Sequence, residues 1–145
     1  MKFIGIALII AATVICSYTY ENQCKKRLIC LKDIYDYVYY VKLKIRHLNL
    51  TVEEIFEKYE KKEIIKLYLT ESFDKLKDTG EKELINDFFS SLGQGYKQEQ
   101  LELCDYTLDG ISKKISDLEK SSPTQIKIFR TFSLFICASI IIFLI

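Results

Sequence analysis

The chain has 145 residues, with 21 Lys and Arg against 20 Asp and Glu, for a formal net charge of +1. That balance excludes a broadly basic nucleic-acid binder, and one Pro with five Gly excludes a loop-rich or disordered chain. A single histidine and five cysteines without a framework spacing exclude His-rich metal centres and disulfide scaffolds.

Phe3 to Tyr20 carries no charge, and neither does Thr131 to Ile145. On a helical rise the first covers about 27 Å, against a hydrocarbon core of roughly 30 Å. The second covers about 22 Å alone and comes near 30 Å when counted from Ile126, with Lys127 and Arg130 snorkelling. The expectation is a transmembrane helix over 1–20, a cytosolic helical bundle over 21–125 and a second transmembrane helix over 126–145. A cleaved signal peptide is the rival for the first segment. Lys2 suits its n-region, but no small-x-small site follows, and Ile15 is too bulky to precede a lipidated Cys16.

Lys25, Lys26 and Arg27 flank the first apolar segment on the loop side, and Lys127 and Arg130 flank the second on the same side. The positive-inside rule then predicts a cytoplasmic middle, with both termini across the membrane. These five residues form an expected basic collar facing anionic lipid. Free cysteines agree with a reducing compartment.

The middle reads as helical. Leu31, Ile34, Val38, Val41, Ile45 and Leu48 are spaced 3, 4, 3, 4, 3. Leu101, Cys104, Leu108, Ile111, Ile115 and Leu118 repeat that spacing. Both describe the seam of a coiled-coil-like pair, predicted to lie antiparallel. Val41 to Arg46 also alternates like a strand, and the tyrosines from Tyr37 to Tyr40 favour one; the longer seam argues for helix. Asn49-Leu50-Thr51 breaks the first long helix. Thr51 and Glu54 then fit a capping box, followed by an apolar stripe of Val52, Ile55, Phe56 and Tyr59. Ile65, Leu69, Phe73 and Leu76 make a second stripe, ending near Asp78-Thr79-Gly80. Leu84, Ile85, Phe88, Phe89 and Leu92 make a third, ending at Gly93. Such stripes are core far more often than ligand sites. Ser121-Ser122-Pro123 is placed to break and restart the last helix.

No catalytic, metal or cofactor constellation emerges. Cys24 and Cys30 are too far apart for a zinc pair. Gly93-Gln94-Gly95 lacks the later Gly, Lys and Ser or Thr of a phosphate loop. The acidic residues sit at helix-surface spacings. The expectation is a protein that is not an enzyme and takes no cofactor, nucleic acid or small-molecule substrate.

Leu92-Gly93, then Glu99-Gln100-Leu101 and a long helix into an apolar end, resembles the stage III sporulation protein AB family. There a Leu-Gly pair ends one helix and a Gln opens the next. The helix start from Thr51 to Phe56 and the two apolar ends also match. Gly95-Tyr96 departs from the family's Ser or Thr followed by Asp, so the last helix is expected to start at Lys97.

The resemblance implies an all-α fold, a small helical bundle with long antiparallel outer helices and terminal anchors. That bundle is similar to the cytoplasmic domain of type II secretion F proteins. It also implies a platform component of the secretion-like channel between mother cell and forespore, in the mother-cell membrane. Its implied partners are membrane lipid, other stage III sporulation membrane proteins and a cytosolic secretion-type ATPase. The turn at Leu92, Gly93, Gln94, Tyr96 and Gln100 is the expected partner-facing tip. The competing reading is a membrane-tethered signalling or regulatory adaptor.

Overall fold

The computed structural model describes residues 2–48, 51–70 and 79–144. Five helices follow in chain order: α1 (Lys2–His47), α2 (Val52–Glu57), α3 (Lys62–Thr70), α4 (Thr79–Ser91) and α5 (Lys97–Leu144). The described residues contain no strand, so the tyrosine-rich stretch before Arg46 is helical, as the seam spacing predicted. Thr79 and Gly80 open α4 instead of forming a turn. Phe73 and Leu76 lie outside the described residues.

The expected pair of transmembrane anchors requires correction. Among the described residues, no helix is long and apolar enough to cross a membrane. The strongly apolar part of the first segment is only the run Phe3 to Cys16, because Ser17-Tyr18-Thr19-Tyr20 closes it. That run reaches about 21 Å, well short of the hydrocarbon thickness. Extending the C-terminal run backward brings in Arg130 and Lys127.

The chain divides into two compact units. One comprises residues 1–26 and 118–145, the other residues 27–117. The first is a helical hairpin built from parts of α1 and α5. Tyr20 stacks on Phe129, with ring centroids 4.5 Å apart, and the Arg130 guanidinium donates to Glu21 at 2.6 Å. Among its described apolar side chains, Val14, Ile15, Tyr18, Ile128, Phe132 and Phe135 are all exposed, while Cys137 is buried.

The second unit holds the core. Leu31, Ile34, Val38, Val41 and Ile45 are buried along α1, as are Cys104, Leu108 and Ile111 along α5. Leu101 and Ile115 are half-buried there, as is Leu118 in the hairpin unit. Leu48 is exposed, because α1 ends at His47, before that position can return to the seam. Lys44, Arg46 and His47 occupy the last turn of α1, where cations suit the negative end of the helix dipole. Lys42 pairs with Asp105, and Lys97 donates to the Arg46 carbonyl, so the two helices run antiparallel here.

Short helices close the bundle. Thr51 caps α2: its hydroxyl accepts from the Glu54 N–H at 3.3 Å, and Glu54 Oε2 accepts from the Thr51 N–H at 2.9 Å. Both halves of the box satisfy N–H groups that a helix start otherwise leaves open. Tyr37 fills the space that α2 and α4 enclose with α1. It meets Tyr59 and Phe56 edge-on and stacks on Phe89 at 5.7 Å. Burial pushes its phenol up to about 12. Burial likewise lifts the Cys104 thiol to about 11, so the nucleophilic thiolate does not form there near neutral pH. Asp33 ties α3 to α1 by accepting from the Tyr68 hydroxyl at 3.0 Å and from Lys61 at 3.4 Å.

Two features have no signature in the local sequence pattern. The Arg27 guanidinium grips Glu81 through two bonds, Nε to Oε2 at 3.0 Å and a terminal nitrogen to Oε1 at 2.6 Å. Glu81 is 1% exposed, so a buried carboxylate on α4 is neutralised from α1. Gly110 is the other. A Cβ there would sit 2.6 Å from a Leu84 methyl, so the missing side chain lets α4 press onto α5.

The last helix also departs from expectation. α5 runs unbroken through Pro123, with no restart at Ser122. Proline removes one backbone donor and crowds the preceding turn, but an intact helix on both sides absorbs it.

Candidate functional site

The turn from Leu92 to Gln100 joins α4 to α5, and its shape follows from four residues. Gly93 has φ +85°, the left-handed conformation that ends many helices and that only Gly adopts without strain. A Cβ there would also lie 3.1 Å from a Val52 methyl of α2. Gly95 has φ +95°, and a Cβ on it would collide with the Glu99 carboxylate. That carboxylate is committed elsewhere: Glu99 Oε2 accepts from the Tyr96 N–H at 2.9 Å. It supplies the carboxylate half of a capping box at a helix start whose preceding residue, Tyr96, has no short polar side chain. The helix then starts at Lys97, as expected.

Gln100 is the centre of the turn. It is 7% exposed. Its Oε1 accepts from the Gly93 N–H at 2.8 Å, and its Nε2 donates to the carbonyls of Ser91, at 3.2 Å, and Gln94. One side-chain amide therefore satisfies three backbone groups. This corrects the expectation for Gln100, which is too buried to face a partner and instead holds the turn. Leu92 is half-buried, and Gly93 is exposed but filled by its backbone role. Gln94 and Tyr96 are exposed, Tyr96 by 81%. Gln94 Nε2 donates to the Ser90 carbonyl, so its amide is partly fixed. Beside the turn, an open cleft of about 560 Å³ is bordered by Ile45, Leu48, Val52, Leu92 and Lys97.

The basic collar divides. Lys25 and Arg130 both pair with Glu21, at 2.8 and 2.6 Å. Lys25 first, and then Arg130, holds the Glu21 carboxyl below the usual glutamate range. Lys26 and Lys127 are exposed. Arg27 belongs to the other unit and is occupied by Glu81, which corrects its assignment as a lipid-facing residue. Among the described residues, no group of three or more His, Cys, Asp or Glu is placed to hold a metal ion.

The model of the stage III sporulation protein AB family matches residues 62–145, more than half of the chain. The chain belongs to this family. The match takes in the Leu92-Gly93 turn, Gln100 and all of α5. Membership gives the chain a sporulation-related role, in a family of structural sporulation proteins. No curated protein and no solved structure matches it.

Proposed function

We propose that this member of the stage III sporulation protein AB family is a scaffold of a secretion-like channel and that its Leu92–Gln100 turn docks a cytosolic secretion-type ATPase. The observation that supports this is the division within the turn. Gln100 is buried and locks the backbone, while Tyr96 stands almost fully exposed on the locked frame. An exposed aromatic on a held backbone is the kind of side chain that anchors protein interfaces, because the loop itself loses little freedom on binding.

The test is the double change Gln94→Ala with Tyr96→Ala. Its stability should stay within about 0.5 kcal/mol of wild type, as exposed changes do. Capture of the ATPase from sporulating cells should fall sharply. Undiminished capture by a normally folded double variant would remove the turn from the interface.

The same proposal places the scaffold at a membrane surface. The uncovered apolar side chains of the hairpin unit support this, as does the exposure of Lys26 and Lys127. Each lysine near an anionic leaflet is worth about 1 kcal/mol. Lys26→Glu with Lys127→Glu should weaken binding to phosphatidylserine vesicles by at least about tenfold. Equal co-sedimentation of both proteins would leave the collar without a lipid role.

A further inference from the structure

A wide groove of about 1190 Å³ lies within the unit of residues 27–117, bordered by α1, α4 and α5 and separate from the turn. Its floor includes Leu84, Leu108 and Gly110. Tyr35 and Tyr39, one helical turn apart, line it from α1, and Tyr106 lines it from α5. Tyr106 is 70% exposed and Tyr39 49%, whereas Tyr37 and Tyr59 of the same unit are buried. Exposed aromatic faces flanking a groove are binding surfaces for cations and for flat apolar groups.

The rim decides between those. Glu83 and Asp87 stand one turn apart on α4, and Asp105 and Asp109 one turn apart on α5, with Asp117 further along. Like charges at this spacing repel and weaken a helix. Asp105 is answered by Lys42. Glu83, Asp87, Asp109 and Asp117 form no ion pair among the described residues. Five carboxylates on the groove face three lysines, Lys42, Lys113 and Lys114, with Lys113 one turn from both Asp109 and Asp117, which leaves an excess of two negative charges.

The carboxylates do not converge on one point either, since no three of them are placed around a common ion. They are strung along the groove, and Asp105 to Asp117 covers about 18 Å of helix. A matching ligand carries several cations at helical spacing and some apolar surface between them.

We propose that this groove docks a basic helical segment of a partner protein. Its Arg or Lys side chains, one turn apart, meet the α4 and α5 carboxylates and lie over Tyr39 and Tyr106. The inference does not rest on the docking role of the Leu92–Gln100 turn.

The test uses the full chain and a synthetic helical peptide about five turns long, with Arg at every fourth position and Leu between. Fluorescence anisotropy should report binding that weakens steadily as ionic strength rises toward about 1 M. Asp87→Asn with Asp109→Asn should weaken the peptide about tenfold or more, and Tyr106→Ser should weaken it further. The double variant should melt close to wild type, because Asp87→Asn relieves repulsion from Glu83 while Asp109→Asn gives up both repulsion from Asp105 and attraction to Lys113; this separates lost binding from lost fold. Glu53→Gln, at the border of the other cleft, should bind as wild type does. Equal affinity of wild type and the double variant would overturn the proposal. So would a Gln-for-Arg control peptide that binds as well, or spermine that binds as tightly as the peptide.

Discussion

Replacing Ile111 with Asp should cost the protein roughly 3 kcal/mol or more, because it places a charge where no water or partner can reach it. Ile111 is 1% exposed, in the same core as Val41 at 0%. The same substituent at the next position, Ser112→Asp, falls on an exposed face and should stay within about 0.5 kcal/mol. Urea unfolding of both variants makes the comparison, with tyrosine fluorescence as the probe. Similar midpoints for the two would mean that the seam face of α5 is not the packed face.

Breaking the Arg27–Glu81 pair should have the second large effect. Arg27→Ala leaves a carboxylate that is 1% exposed without its two guanidinium bonds. Removal of one partner from a buried pair typically costs about 3–5 kcal/mol, most of it the stranded charge. The lower end is expected here, since the Arg27 side chain keeps 22% of its exposure and water reaches one side. Arg27→Met combined with Glu81→Leu should recover much of the loss, because no charge then remains buried. A double variant no more stable than Arg27→Ala would show that the pair acts through packing instead of charge.

These two sites differ in how far the sequence discloses them. The seam was legible because a 3, 4 spacing of apolar residues has one physical solution, a helix with a buried stripe. Its failure at Leu48 is a boundary effect: the spacing continues one step beyond the helix. The Arg27–Glu81 pair was illegible, since its members are 54 positions apart and local charge rules see only neighbours three or four residues away. Arg27 therefore read as one more flanking cation.

The apolar ends misled through length. Counting uncharged residues overstated the runs, because Ser17, Tyr18 and Thr19 carry no charge but are not apolar enough to lengthen a span. Pro123 misled because a proline that commonly starts helices can also sit inside a long one. At the turn, the Leu92-Gly93 helix stop was legible, but Gln100 was assigned outward when it points inward. Tyr96 and Glu99 have the same three-residue spacing as Thr51 and Glu54, which is the sequence signal for a reach-back from Glu99.

The way Gln100 is used has a consequence for how this turn can vary. Three backbone groups hang on one side chain that is itself buried, so the shape of the loop is stored apart from its surface. Positions 94 and 96 are then free to accept other side chains while the backbone stays where Gln100 and Gly93 hold it. A lineage could exchange one docking specificity for another there in single steps, without passing through misfolded intermediates. A library randomised at those two positions would sample surface chemistry on a constant frame.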